Sequence, residues 1–167
     1  MKIGFTGLEI QEGKIKYNDQ ILTALADKDQ AKKIAPFFVE FIKNEYLNSD
    51  AIVVHKENIL DILILDMDKI EGKINRTVDK EELDLLKKCL QHLEEEQPLC
   101  NMKCNNNQSE SLKALSLYSY KPIIDIEGEY DINNIIEIIL EKTSNMFFYT
   151  SGPSESHAWL VPLGSDI

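Results

Sequence analysis

The sequence predicts an α/β fold: a small, mostly parallel sheet with flanking helices, a helical hairpin insertion and a C-terminal strand pair. Three observations carry that expectation. Short apolar runs bounded by polar residues, Met1–Thr6, Ala51–His55 and Lys121–Ile126, have the length and composition of buried strands. Residues 57–76 and 79–97 place apolar side chains three and four apart, which is the spacing of one helix face. Residues 131–142 repeat that helical spacing after the strand-like run at 121–126.

Each element has a local reason. Met1–Thr6 opens the chain as a strand. Leu8-Glu-Ile10 and Lys14-Ile-Lys-Tyr17 both alternate around Gln11-Glu-Gly13, the pattern of a β-hairpin. Asn18 or Asp19 is an N-cap for a short helix to Ala26, with Ile21, Leu22 and Leu25 on its inner face. Residues 27–33 are polar and read as surface. Pro36–Ile42 is rich in β-branched and aromatic residues and reads as a strand entered at proline, or as a helix running on to Leu47. Residues 44–50 connect it to Ala51–His55.

In the helix over 57–76, Ile59, Leu63, Met67, Ile70 and Ile74 form the stripe, and Leu60, Ile62 and Leu65 widen it. Asp79 starts the next helix as N-cap, with Glu82 as capping-box partner and Val78 and Leu83 at the staple positions. Leu83, Leu86, Leu90 and Leu93 supply its seam, and Pro98 ends it. Two such helices joined by a few residues make an antiparallel hairpin. Residues 101–108, rich in asparagine, read as a loop, followed by a short helix over 109–117 capped by Asn107 or Ser109. Asp131 caps a helix to Lys142 with Ile135, Ile136, Ile139 and Leu140 inward. Residues 145–150 and 157–161 are two strands around Ser151-Gly-Pro-Ser154, either extending the sheet or packing apart from it.

Bulk properties exclude several functions. The chain has 167 residues, 43% hydrophobic and 28% charged, which suits an ordinary globular domain. A formal net charge of −11 argues against general nucleic-acid binding, which needs clustered Lys and Arg against phosphates. No apolar stretch reaches the ~20 residues of a membrane span, and the N-terminus lacks a secretory h-region. Three cysteines, an odd number, suit reduced thiols, so the expected compartment is the cytoplasm.

The stretch with most bearing on function is Gly7–Lys14, a glycine loop that comes after the first strand and ends in Gly-Lys. A phosphate-binding loop sits at such a place. This one has five residues between Gly7 and Gly13 where four are needed, and Ile15 where a Ser or Thr would ligate Mg²⁺. Glu9 and Glu12 add negative charge where phosphates would lie. If a nucleotide pocket were nevertheless rebuilt, Gly7, Gly13, Lys14 and Lys43 would be its phosphate contacts. A separate alternative is a metal or thiol redox module built on Cys89, His92, Cys100 and Cys104. Cys89 and His92 share a helix face, but the spacing matches no standard zinc pattern. Gly-x-Ser-x-Gly is absent, and no nucleophile–base set stands out.

Taken together, these segments resemble the YchF/Obg-like ATPase family of P-loop proteins. Met1–Leu8 resembles its opening strand and loop entry. Residues 19–42, with Leu25-Ala, Lys32-Lys-Ile, Pro36 and Val39-Glu-Phe-Ile42, resemble the stretch leading to its third motif strand. Ser49-Asp-Ala-Ile-Val-Val54 resembles the strand after its switch region. Residues 61–76 and 82–98, with Leu90-x-His-Leu-Glu-Glu95, are similar to its inserted helical arm. Lys121-Pro-Ile-Ile124 resembles the strand before its base-recognition motif, and residues 147–164, with Gly152-Pro and Ala158-Trp159, the start of its C-terminal TGS domain. The departures agree with one another. The phosphate loop is altered, Lys43 and Asn44 stand where Asp-x-x-Gly should come after Ile42, the switch and its helix are missing, and Glu127-Gly-Glu129 replaces the base-reading Asn-x-x-Glu.

The resemblance implies a degenerate P-loop GTPase-like core at 1–56 and 108–144, a helical hairpin insertion with its loop at 57–107, and a truncated TGS-like remnant at 145–167. The function expected is that of a non-catalytic pseudo-GTPase-like protein with no cofactor. It would act through a protein partner at 57–97 or at 145–163, including Trp159. Ribosome association comes with the resemblance, although the charge opposes direct contact with rRNA.

Overall fold

The computed structural model describes residues 1–143, 147–151 and 157–162. Five strands form the main sheet: β1 (Lys2–Thr6), β2 (Gly13–Lys16), β4 (Phe38–Lys43), β5 (Ala51–His55) and β6 (Ile123–Ile126), in the order β2-β4-β1-β5-β6. The β4-β1-β5-β6 ladders are parallel, and β2 adds an antiparallel edge. Among the described residues five α-helices accompany them: α1 (Gln20–Lys28), α2 (Ile59–Ile74), α3 (Lys80–Glu94), α4 (Asn106–Ala114) and α5 (Ile132–Lys142). The mostly parallel α/β architecture expected from the sequence is present.

Alternation along the central strands divides the core between the two faces of the sheet. Ile3, Phe5, Val39, Phe41, Ala51, Val53, Ile124 and Ile126 pack with Ile135, Ile136, Ile139 and Leu140 of α5. Ile52, Val54 and Ile123 face the other way and meet Ile62 of α2. The far side of α2 builds a second core with α3: Leu63, Ile70, Leu85, Leu86, Cys89 and Leu93 pack with Leu99, Leu112 and Leu117. Leu112 lies on α4, so that helix packs with the hairpin, just past the boundary expected at 107. Asp66, on α2, is fully buried in this region. Its carboxylate accepts the Tyr118 N–H at 2.8 Å and the Ser119 N–H at 2.6 Å, fastening the segment before β6 to the helix.

The connector 44–50 is held tightly against β1. It carries the chain from the end of β4 to the start of β5, two strands that are parallel but separated by β1. A parallel crossover usually takes a dozen or more residues and a helix. This shorter one crosses the face of β1 at Gly4, where a Cβ would lie 1.7 Å from the Glu45 carbonyl oxygen. Asn44 N–H donates to Phe5 O at 2.9 Å and Asp50 N–H to Lys2 O at 2.8 Å, so the connector closes on β1 at both ends.

Several local expectations are corrected. The 8–17 hairpin does not form: β2 pairs with β4, and Leu8 and Ile10 are buried in the core instead of forming a strand. Asp19 caps α1 as expected, but Ile21 is exposed, and Leu22 with Ala26 makes the inner face. Leu60 and Leu65 face solvent, so the α2 stripe is narrower than its sequence suggests. Asp79 accepts the Glu82 N–H at 2.8 Å, but the Glu82 carboxylate turns to Lys73 Nζ at 3.3 Å, and Val78 is 96% exposed, which leaves no staple. The segment 101–108 is not a plain loop. Asn105 and Gln108 form a full capping box, so α4 starts inside the asparagine run and ends at Ala114. The C-terminal strands β7 (Phe147–Ser151) and β8 (His157–Pro162) pair antiparallel, and β8 runs parallel to β3 (Lys33–Ala35) in a sheet of its own. The turn expected at 151–154 and the side chain of Trp159 lie outside the described residues.

Candidate functional site

In an open parallel sheet, ligands bind beyond the carboxyl ends of the strands. Here that rim comprises Gly7 after β1, Lys43 at the end of β4 with Asn44 after it, His55 at the end of β5 with residues 56–58 after it, and Glu127–Gly128 after β6. Phe5 lies opposite Lys43 in the ladder, and β2 starts at Gly13 opposite Phe41, so Gly7, Gly13 and Lys43 share this end of the sheet. Lys14 pairs with Glu40 on the edge strand, with β4 between it and β1.

The loop after β1 is covered at Gly7 by neighbouring side chains. Gly7 has φ +70°, but a Cβ there would lie 2.2 Å from Asn58 Oδ1 and 3.0 Å from His55 Cβ, so side chains from the end of β5 and the turn before α2 cover it. Glu9 N–H donates to Tyr130 Oη at 3.0 Å, and the Tyr130 hydroxyl donates back to Glu9 O at 3.0 Å. The loop leads into β2, and α1 begins only at Gln20, so the loop does not run directly into a helix N-terminus that would favour a phosphate. The chain's own carboxylates meet the donors of the rim. Glu12 Oε1 accepts the Lys43 N–H at 2.8 Å. Lys56 Nζ meets Glu127 Oε2 at 2.8 Å, linking the ends of β5 and β6. That hydrogen bond and charge pairing raise the Lys56 ammonium above its ordinary range and lower the Glu127 carboxyl below its own. His55 Nδ1 accepts the Glu57 N–H at 3.3 Å.

The four candidate metal ligands lie near the α2–α3 seam and the turn after it. Cys89 is buried in the α2–α3 seam, where burial first, and the neighbouring Cys104 next, push its thiol up to about 11. His92 Nε2–H donates to Pro98 O at 3.1 Å. Cys100 and Cys104 are half-buried free thiols. Among the described residues no group of three or more His, Cys, Asp or Glu side chains is placed to hold a metal ion. No described helix is long and apolar enough to cross a membrane.

The residues that close this rim, Asn58, Tyr130 and Glu127, carry no motif. Only the departure of Glu127-Gly-Glu129 from a base-reading sequence pointed toward one of them.

No family model matches the chain, and no curated protein sequence matches it. A search of solved structures matches it to the Schizosaccharomyces pombe YchF GTPase, with a TM-score of 0.71, 13% identity, and coverage of 98% of this chain and 80% of that one. The chain thus has a fold similar to that of a YchF GTPase.

Proposed function

We propose that this chain is a non-catalytic, GTPase-like protein that acts by binding another protein. The observation that carries the first half is the covered loop after β1. Asn58 fills the space over Gly7, no helix comes directly after the loop, and Glu12 takes the Lys43 N–H at the end of β4. Hydrolysis of a nucleoside triphosphate relies on positioned backbone donors, a lysine and a Mg²⁺ ligand, and the rim offers its own carboxylates in their place.

The second half rests on α2. One of its faces packs on the sheet through Ile62 and another on α3 through Leu63 and Ile70. Its third face leaves Leu60, Ile64 and Leu65 exposed by 40%, 53% and 43%. Leu60 and Ile64 are four apart and lie side by side, as in the anchors of a helix that docks on a partner.

Thermal unfolding with and without Mg²⁺ and ATP or GTP tests the reading. A ligand of the folded state at 100 Kd would stabilise by roughly 2.7 kcal/mol, a shift of several degrees at this size. No shift is expected. A Mg²⁺-dependent shift would mean a rebuilt pocket and overturn the non-catalytic reading. For the partner, the Leu60→Asp/Ile64→Lys double variant should keep the wild-type melting temperature and lose proteins that co-purify with the wild type. Retention of the same proteins by the variant counts against α2.

A further inference from the structure

A cleft of about 810 Å³ lies at the opposite end of the sheet from the strand rim, between the turn after α3, α4, and the start of β6 beside the end of α5. Pro122, at the amino end of β6, and Lys142, at the end of α5, form one wall. Lys113 and Ser109 of α4 form another, with Tyr120 beside them. A smaller cavity of about 220 Å³ shares Lys113 and Tyr120 with it and adds Lys121. Among the described residues no Asp or Glu lines either cavity, although the chain carries 29 acidic residues against 18 basic ones.

Carbonyl groups hold two of the three ammonium groups in place. Lys142 Nζ donates to Ile123 O at 3.2 Å, and Lys121 Nζ donates to the carbonyls of Tyr46 and Leu47. A carbonyl orients an ammonium without cancelling its charge, and each ammonium has three protons to donate. Asp50 and Glu45 act on Lys121 from the connector side. Among the described residues, no ion pair engages Lys113, Lys121 or Lys142. Ser109 Oγ and Tyr120 Oη lie 2.6 Å apart. One hydroxyl proton serves that bond, which leaves the other to donate elsewhere. A concave site lined by one sign of charge concentrates the opposite sign.

We propose that this cleft binds a small organic anion, its charged group held between Lys113 and Lys142 with the Ser109–Tyr120 hydroxyl pair as a further donor. Met102, Pro122 and the Tyr120 ring offer apolar contact to the rest of such a molecule. The site is separate from the rim at Gly7 and does not depend on whether that rim binds nucleotide.

The test is an amide-resolved NMR titration of the full chain with pyrophosphate and with citrate, each up to about 10 mM, a range that reaches weak affinities of a few kcal/mol. Shifts confined to residues 100–122 and 142 are expected with at least one probe, and the tighter probe identifies phosphate or carboxylate as the head group. Lys113→Gln should weaken binding about tenfold or more, since it removes a charge-assisted hydrogen bond to the anion. Lys16→Gln, on the exposed β2 edge at the other side of the sheet from β6, should leave binding unchanged. Lys113 is exposed, so the folded spectrum should survive its replacement. No shifts with either probe, or equal affinity in Lys113→Gln, would overturn the site. Shifts at Gly7 and Lys43 alone would place anion binding at the rim and refute the cleft.

Discussion

Gly4 shows how much one residue can be required to lack. It sits in β1 with ordinary strand geometry, so a Cβ is excluded by the connector carbonyl at 1.7 Å and not by any special backbone angle. Gly4→Ala should destabilise by about 3 kcal/mol or more, because backbone on both sides of the clash must move. Urea unfolding checks this, and a loss under 1 kcal/mol would mean that the connector yields easily. Cys89 makes the second residue-scale prediction. Its thiol has an ordinary value of 9.0 and is held at about 11 when folded. The folded state therefore keeps a proton that the unfolded state releases between these values. The stability tied to the neutral thiol is fully present below pH 9 and is lost as pH rises through about 11. Cys89→Ala should flatten the alkaline decline in unfolding free energy, whatever its effect at neutral pH. In native protein at pH 8, a thiol reagent should label Cys100 and Cys104 and reach Cys89 only on unfolding.

Among the elements, the start of α3 separates what a local signal does from what it suggests. Asp79 accepts the Glu82 N–H as an N-cap should, so Asp79→Ala should cost about 1 kcal/mol. Val78 occupies the staple position yet stands in solvent, so Val78→Thr should change stability by less than about 0.5 kcal/mol. Chemical denaturation of the two variants side by side would reveal a hidden staple if Val78→Thr proved as costly as Asp79→Ala. The caps at Asp19, Asp79 and Asp131 were readable because a cap needs only residues within one turn. The 8–17 segment departs from its hairpin pattern for the converse reason. Alternation shows that a segment suits a strand, and it does not name the partner strand. Burial of Leu8 and Ile10 beneath the sheet draws residues 8–10 out of any ladder and leaves β2 to β4. Similarly, an apolar residue at helical spacing need not be buried: Ile21 and Leu60 are exposed.

For the whole molecule, charge makes a testable statement. At −11 the folded chain repels itself, and salt screens that repulsion over a Debye length that falls from about 30 Å at 10 mM to 3 Å at 1 M. The melting temperature should therefore rise by a few degrees between these limits, about 2–4 °C for each kcal/mol recovered. A constant or falling melting temperature in sodium chloride would mean that pairs such as Lys56–Glu127 outweigh the global repulsion. The same excess of acid makes the lysine-lined cleft conspicuous, since its cations come from α4, the entry to β6 and the end of α5 and form no cluster in the chain.

The sequence by itself determined the elements whose causes are local: β1, β5 and β6 from their apolar runs, α2 and α3 from their spacing, α5 from its cap and its inward isoleucines. It also showed that the Gly7–Lys14 stretch has the wrong spacing for a phosphate loop. Tertiary structure alone decided that Asn58 covers Gly7, that β3 joins β8 in a separate sheet, and that Lys113 and Lys142 face one cleft. A period or a cap is set by residues within a turn of one another. A strand's neighbour, or the side chain that fills a given space, is set by which distant segments bury their surfaces together.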